Sequence, residues 1–109
     1  MINECKLSKM DQFSPSEVVK RYVTSGEFFS SYILNLMPGQ EVPACSHENK
    51  SVMLIPQMGS GILFTDDKSE TTLEFGSVYT DHCGRSFGLR NTGKLPFQVL
   101  VILITTQAD

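Results

Sequence analysis

The stretch GQEVPACSHENKSV, from Gly39 to Val52, holds the chain's most reactive pair of side chains. Cys45 and His47 offer a thiol and an imidazole two positions apart. On an extended strand that spacing puts both on one face, with Cα atoms roughly 6.6 Å apart, near enough to bind one ion. A thiolate with an imidazole suits zinc and the softer transition metals. Two donors make a weak site, because structural zinc takes four protein ligands and catalytic zinc three with a water. His82 and Cys83 are further donors, but a set of Cys45, His47, His82 and Cys83 matches no zinc signature in its spacing.

Other polar groups carry less. Asp81 beside His82 has the composition of an acid–base pair, yet neighbours on a strand point to opposite faces. Arg85 or Arg90 turned inward could clamp a carboxylate or phosphate; the simpler expectation is that both are solvated. Asp66 and Asp67 lie in the turn sequence TDDKSE. Gly59-Ser60-Gly61 lacks the Lys-Ser/Thr and following helix of a phosphate loop and reads as a hairpin turn.

The elements that position these residues are short strands. Phe28–Met37, Val42–His47, Val52–Gln57, Gly61–Thr65, Thr71–Phe75, Ser86–Arg90 and Phe97–Thr105 are β-rich runs separated by SHENK, MGSG, DDKSE, DHCG and NTGKLP. Regular short strands with turns between them indicate a sandwich or a barrel. One segment carries conflicting signals. SPSE at Ser14–Glu17 has the form of a helix capping box, with Pro15 at the first helical position. The following VVKRYVT is rich in β-branched residues and has the length of a strand, which is the preferred reading.

Composition bounds the rest. The chain has 109 residues, 40% of them hydrophobic, enough for one domain with a modest core over residues 1–109. Residues 1–27 read as an N-terminal arm or strand region and 28–106 as the barrel. The net charge is −3 and the pI about 5.3, with no basic stripe, which argues against nucleic acid and anionic membranes as partners. The N-terminal MINECKLSKMDQF has no signal-peptide core, and the longest apolar run, FQVLVILI, is too short to cross a bilayer. Three cysteines in unpaired spacing fit free thiols in a reducing cytoplasm.

Two spaced patterns then point to a family. Gly39, Cys45-Ser46-His47, Val52 and Gly59 follow the spacing of the first cupin motif, and Gly76, His82-Cys83-Gly84, Phe87 and Asn91 follow the second. Over residues 28–106 the chain therefore resembles small single-domain cupins. The resemblance implies an all-β fold, an antiparallel jelly-roll β-barrel. It also implies four metal-ligand positions, two histidines and a glutamate from the first motif and a histidine from the second. Here they fall on Cys45, His47, Val52 (or Ser51, one residue earlier) and Phe87. Only His47 is a family ligand, Cys45 is a substitute donor, and Val52 and Phe87 cannot bind a metal. His82 and Cys83 precede Phe87 by a distance of roughly 13–17 Å along an extended chain.

The carried-over positions describe a mainly apolar pocket. Phe87 reads as core or pocket wall and Val52 as an apolar floor. Cys45 most simply reads as a small buried hydrophobe and His47 as a hydrogen-bonded residue at the pocket mouth. The expected function is binding of a small molecule without a metal cofactor. The alternative is a metal-dependent isomerase or dioxygenase holding a divalent transition metal through Cys45 and His47, with a further ligand such as Tyr32 or Gln57. A third reading makes His47 the general base of metal-free catalysis. The small core, the N-terminal arm and the way cupins commonly pair make a homodimer the expected assembly, with Cys5 in the arm either exposed or ordered by the partner.

Overall fold

The computed structural model describes residues 2–82 and 85–105. A 3-10 turn at Leu7–Met10 precedes nine strands. These are β1 (Val19–Ser25), β2 (Phe29–Leu36), β3 (Glu41–Cys45), β4 (Lys50–Met58), β5 (Ser60–Thr65), β6 (Glu70–Glu74), β7 (Tyr79–Asp81), β8 (Phe87–Arg90) and β9 (Phe97–Thr105). They form two antiparallel sheets, β1-β2-β9-β4-β7 and β3-β8-β5-β6, that face each other as a barrel. All seven expected strands are present, and the contested segment is a strand starting at Val19. Ser14 Oγ accepts from the Ser16 backbone N–H at 3.2 Å, as a cap would, but the chain bends there and starts no helix.

Strand alternation places the core between the sheets. Tyr32, Leu34 and Leu36 of β2 pair with Val101, Val99 and Phe97 of β9, and Val52 and Leu54 of β4 lie on the other side of β9. These residues, with Leu73, Phe87 and Leu89 from the facing sheet, form one buried cluster. β2 is also covered on its outer face at one end. Asn35 donates to the Met10 carbonyl at 2.9 Å. Gln98 donates to the Asn35 side-chain oxygen at 2.9 Å and to Asp11 at 2.6 Å. The N-terminal arm thus lies over that end of the five-stranded sheet, which satisfies two buried amides that the alternation alone would leave exposed.

Two motif residues tie turns together at one end of the barrel. Asn91 is fully buried. Its amide donates to the carbonyls of Leu36 and Leu95, both at 2.9 Å, and its side-chain oxygen accepts from Gly93 N at 3.0 Å. Its backbone bonds Gly39 and Gln40, so one residue joins the β2–β3 turn to the β8–β9 turn. Gly59, at φ +70°, packs where an added Cβ would lie 2.2 Å from the Pro96 carbonyl oxygen. The second glycine of the second pattern, Gly84, and the Thr106 boundary lie outside the described residues.

Two details differ from the sequence expectation. β7 was not foreseen: its three residues sit among turn formers and become a strand by pairing with Val52–Leu54 at the sheet edge. β3 ends at Cys45, two residues short of His47. An extra residue on β3 between the Val42–Leu89 and Cys45–Phe87 pairs marks a bulge, and Pro43, which lacks an N–H, lies in it on an edge strand. The chain then turns, with Lys50 N donating to the His47 carbonyl and Asn49 in the left-handed region at φ 61°.

Candidate functional site

His47 leaves β3 and folds back over the barrel. Its imidazole stacks on the phenyl ring of Phe87, with centroids 4.7 Å apart and planes 22° from parallel. β8 holds Phe87 in place through pairing with Cys45 on one side and Thr65 on the other. The Nδ1 atom of His47 is buried and has no hydrogen-bond partner among the described residues. Burial lowers the imidazole's pKa, Asp81 opposes that, and Lys50 and Lys20 add to it.

Phe87 divides the interior. On one side is a cavity of about 170 Å³ whose walls include Leu34, Leu89, Val101 and Phe87, with Cys45 and His47 toward the open end. Cys45 is exposed rather than buried, its thiol 3.6 Å from the Ser46 carbonyl. β3 is an edge strand that ends at Cys45, and most of its residues are exposed. On the other side of Phe87 is a larger and more polar cavity of about 390 Å³, lined among others by Thr65, Thr71, Tyr79, Asp81 and Arg85. Val52 is 2% exposed in the core cluster and lines neither of these cavities. The structure thus brings Cys45, His47 and Phe87 together around one space and places Val52 in the packing beside it.

Two residues of the smaller cavity were not singled out as a pair by the sequence. Lys20 of β1 and Tyr32 of β2 share the core-facing side, Lys20 opposite Leu34 and Tyr32 opposite Tyr22, with Lys20 and Tyr22 solvent-exposed because β1 is an edge strand. The Lys20 ammonium lies 4.2 Å from the Tyr32 ring centroid and 4.9 Å from that of Tyr22. Among the described residues it forms no ion pair. Burial raises the pKa of the Tyr32 hydroxyl, with Tyr22 and Cys45 adding to the effect. The inward set of Lys20 follows from the β1–β2 register, which no motif specifies.

The remaining candidates are engaged elsewhere. Arg90 faces outward, bonded to Glu41 at 2.9 Å and Glu70 at 3.2 Å, with its guanidinium 4.6 Å from the Phe64 ring centroid. Arg85 is bonded to Asp81 at 3.3 Å at the larger cavity. His82 Nδ1 is 3.3 Å from the Ser51 hydroxyl, so Asp81 and His82 point to different partners. Gln57 donates to the Ile55 carbonyl and lines neither cavity. Asp67 accepts from Thr65 and from Ser69 N, and these bonds lower its pKa to about 2. Cys83, the fourth donor of the alternative metal set, lies outside the described residues. Among the described residues no group of three or more His, Cys, Asp or Glu side chains is placed to hold a metal ion.

Comparison with known proteins identifies the architecture. No protein-family model matches the chain, and no curated protein matches it. Solved structures do. A Klebsiella pneumoniae protein with a double-stranded β-helix domain superimposes with a TM-score of 0.86 at 18% identity, over 97% of this chain and 87% of its own. An RmlC-like cupin protein from Desulfovibrio desulfuricans gives 0.84 at 21% identity, over 95% and 97%. The Cupin_2 domain of an XRE-family transcriptional regulator from Enterobacter cloacae gives 0.75 at 15% identity, over 83% and 98%. The chain has the all-β cupin fold, a small cupin-type barrel. Among the described residues no helix is long and apolar enough to cross a membrane.

Proposed function

We propose that this barrel binds a small organic molecule in the cavity beside His47 and Phe87, without a metal. The observation that carries the reading is the buried, unpartnered Nδ1 of His47 beside a largely apolar cavity of about 170 Å³. Buried polar atoms are nearly always hydrogen-bonded, so an unpartnered one next to a cavity calls for a partner that enters it. The residues do not fit the metal that the cupin fold commonly holds. The position of the second-motif histidine carries Phe87, whose ring lies against His47, and the glutamate position carries Val52, packed in the core. Cys45 and His47 alone leave a divalent ion short of ligands.

We further propose a homodimer in the cytoplasm. Phe29 and Ile104 are exposed and paired on the outer face of the five-stranded sheet, with Ile102 and Met53 half-buried next to them. The N-terminal arm bonds to the opposite end of that face, at Asn35 and Gln98. Cys5 and Cys45 are free thiols, as a reducing compartment would keep them.

Benzyl alcohol, a neutral ring-sized probe, tests the binding site. Its titration should move the methyl resonances of Leu34, Leu89 and Val101 saturably, and His47→Ala should weaken the effect. Shifts confined to other residues would remove the basis for the site.

A further inference from the structure

We infer that the smaller cavity selects a ring-sized organic anion, a monocyclic carboxylate, whose charge is taken by Lys20 and whose second oxygen bonds Nδ1 of His47. This rests on the binding site proposed above and goes on to name the ligand's chemistry.

Size sets the first limit. An apolar cavity of about 150 Å³ in another protein holds one benzene molecule. At about 170 Å³, this cavity has room for one ring and a small substituent. The walls fix the orientation. Leu34, Leu89, Val101 and Phe87 give the ring apolar contact, so a polar substituent must point toward Lys20 and His47.

Charge sets the second limit. Lys20 lines the cavity, and none of the lining residues is Asp or Glu. Asp81, the acid that acts on His47, belongs to the other cavity and is paired with Arg85. Lys50 and Lys20 both act on His47 as cations. The cavity therefore favours negative charge. Lys20 is solvent-exposed, its ammonium lying against the faces of Tyr32 and Tyr22 with its N–H groups available to a ligand at the cavity mouth. Hydrogen bonding leads to the same ligand. An ammonium only donates, and a neutral imidazole can carry its proton on Nδ1. A carboxylate accepts from both at once and brings the charge that matches the ammonium, whereas an amine repels the ammonium and an alcohol is neutral.

The test compares benzoate with benzyl alcohol on the full chain, following the methyl resonances of Leu34, Leu89 and Val101. Benzoate should bind about tenfold more tightly, the scale of one charge-assisted hydrogen bond. Lys20→Met, which keeps the aliphatic stem, should abolish the preference, and Lys20→Arg should keep it. Equal affinities in the parent protein, or a preference that survives Lys20→Met, would overturn the anion assignment while leaving the ring-sized site in place. If neither probe moves these resonances, the binding site itself falls, and the assignment with it.

Discussion

The stack of His47 on Phe87 is where this barrel's interior departs most from a coordinating site. A phenyl ring cannot donate to a metal, and this one also shields the imidazole from water. Burial depresses the folded-state pKa of His47 below its ordinary 6.5, with Asp81 opposing and Lys50 and Lys20 reinforcing. A depressed pKa favours the neutral form in the fold. Its contribution to stability is therefore complete above the unfolded value and is lost as pH falls from there through the folded midpoint. An imidazole titration followed by NMR should give a midpoint below 6.5, and His47→Gln should flatten that part of the pH–stability curve. A midpoint above the ordinary value would contradict the packing described here. Phe87 is 7% exposed and separates two cavities. Phe87→Ala should cost about 3 kcal/mol in urea unfolding, and a loss well under 1 kcal/mol would mean that the ring does not bear packing.

Among the elements, the turns carry the most specific information. Gly39 and Gly59 both have positive φ, yet they differ in surroundings. A Cβ at Gly39 meets nothing within 4 Å, while one at Gly59 runs into the Pro96 carbonyl. Gly39→Ala should cost about 1–2 kcal/mol, the penalty of a left-handed residue alone. Gly59→Ala should cost clearly more, because backbone must move. Equal midpoints in thermal unfolding would refute that contrast. Asn91→Ala removes a side chain that bonds three backbone groups and should cost about 2–4 kcal/mol. These are the residues through which the fold was legible in the sequence: glycines at spaced turns, an asparagine at a strand end and short β-rich runs between turn residues. The site was only partly legible. Cys45, His47 and Phe87 could be placed on one space because they fall on the ligand positions of the two cupin motifs, but Val52, at the fourth such position, packs in the core cluster and lines neither cavity. The end of β3 was misplaced because a bulge at Pro43 is a matter of pairing with β8. Lys20 was missed because the face of a strand with mixed polarity depends on its register with β2. β7 was missed because three residues of weak pattern become a strand only beside β4.

On the scale of the whole molecule, the barrel leaves apolar surface on one sheet. Phe29 is 55% exposed and Ile104 43% exposed on the outer face, where a second copy would cover them. Light scattering at high concentration should give about twice the chain mass of 12.1 kDa, and Ile104→Lys should return it toward the single-chain value. A parent protein that stays at the chain mass would reject the dimer. The interior keeps the cupin fold, and we propose that it uses an aromatic stack in place of a metal centre. Metal content, by plasma mass spectrometry on protein purified without an affinity tag or chelator and then reconstituted anaerobically with zinc, iron, nickel or copper, tests it most directly. Far less than one metal per chain is expected under every condition. Close to one bound metal per chain, lost in His47→Ala and Cys45→Ser, would contradict it.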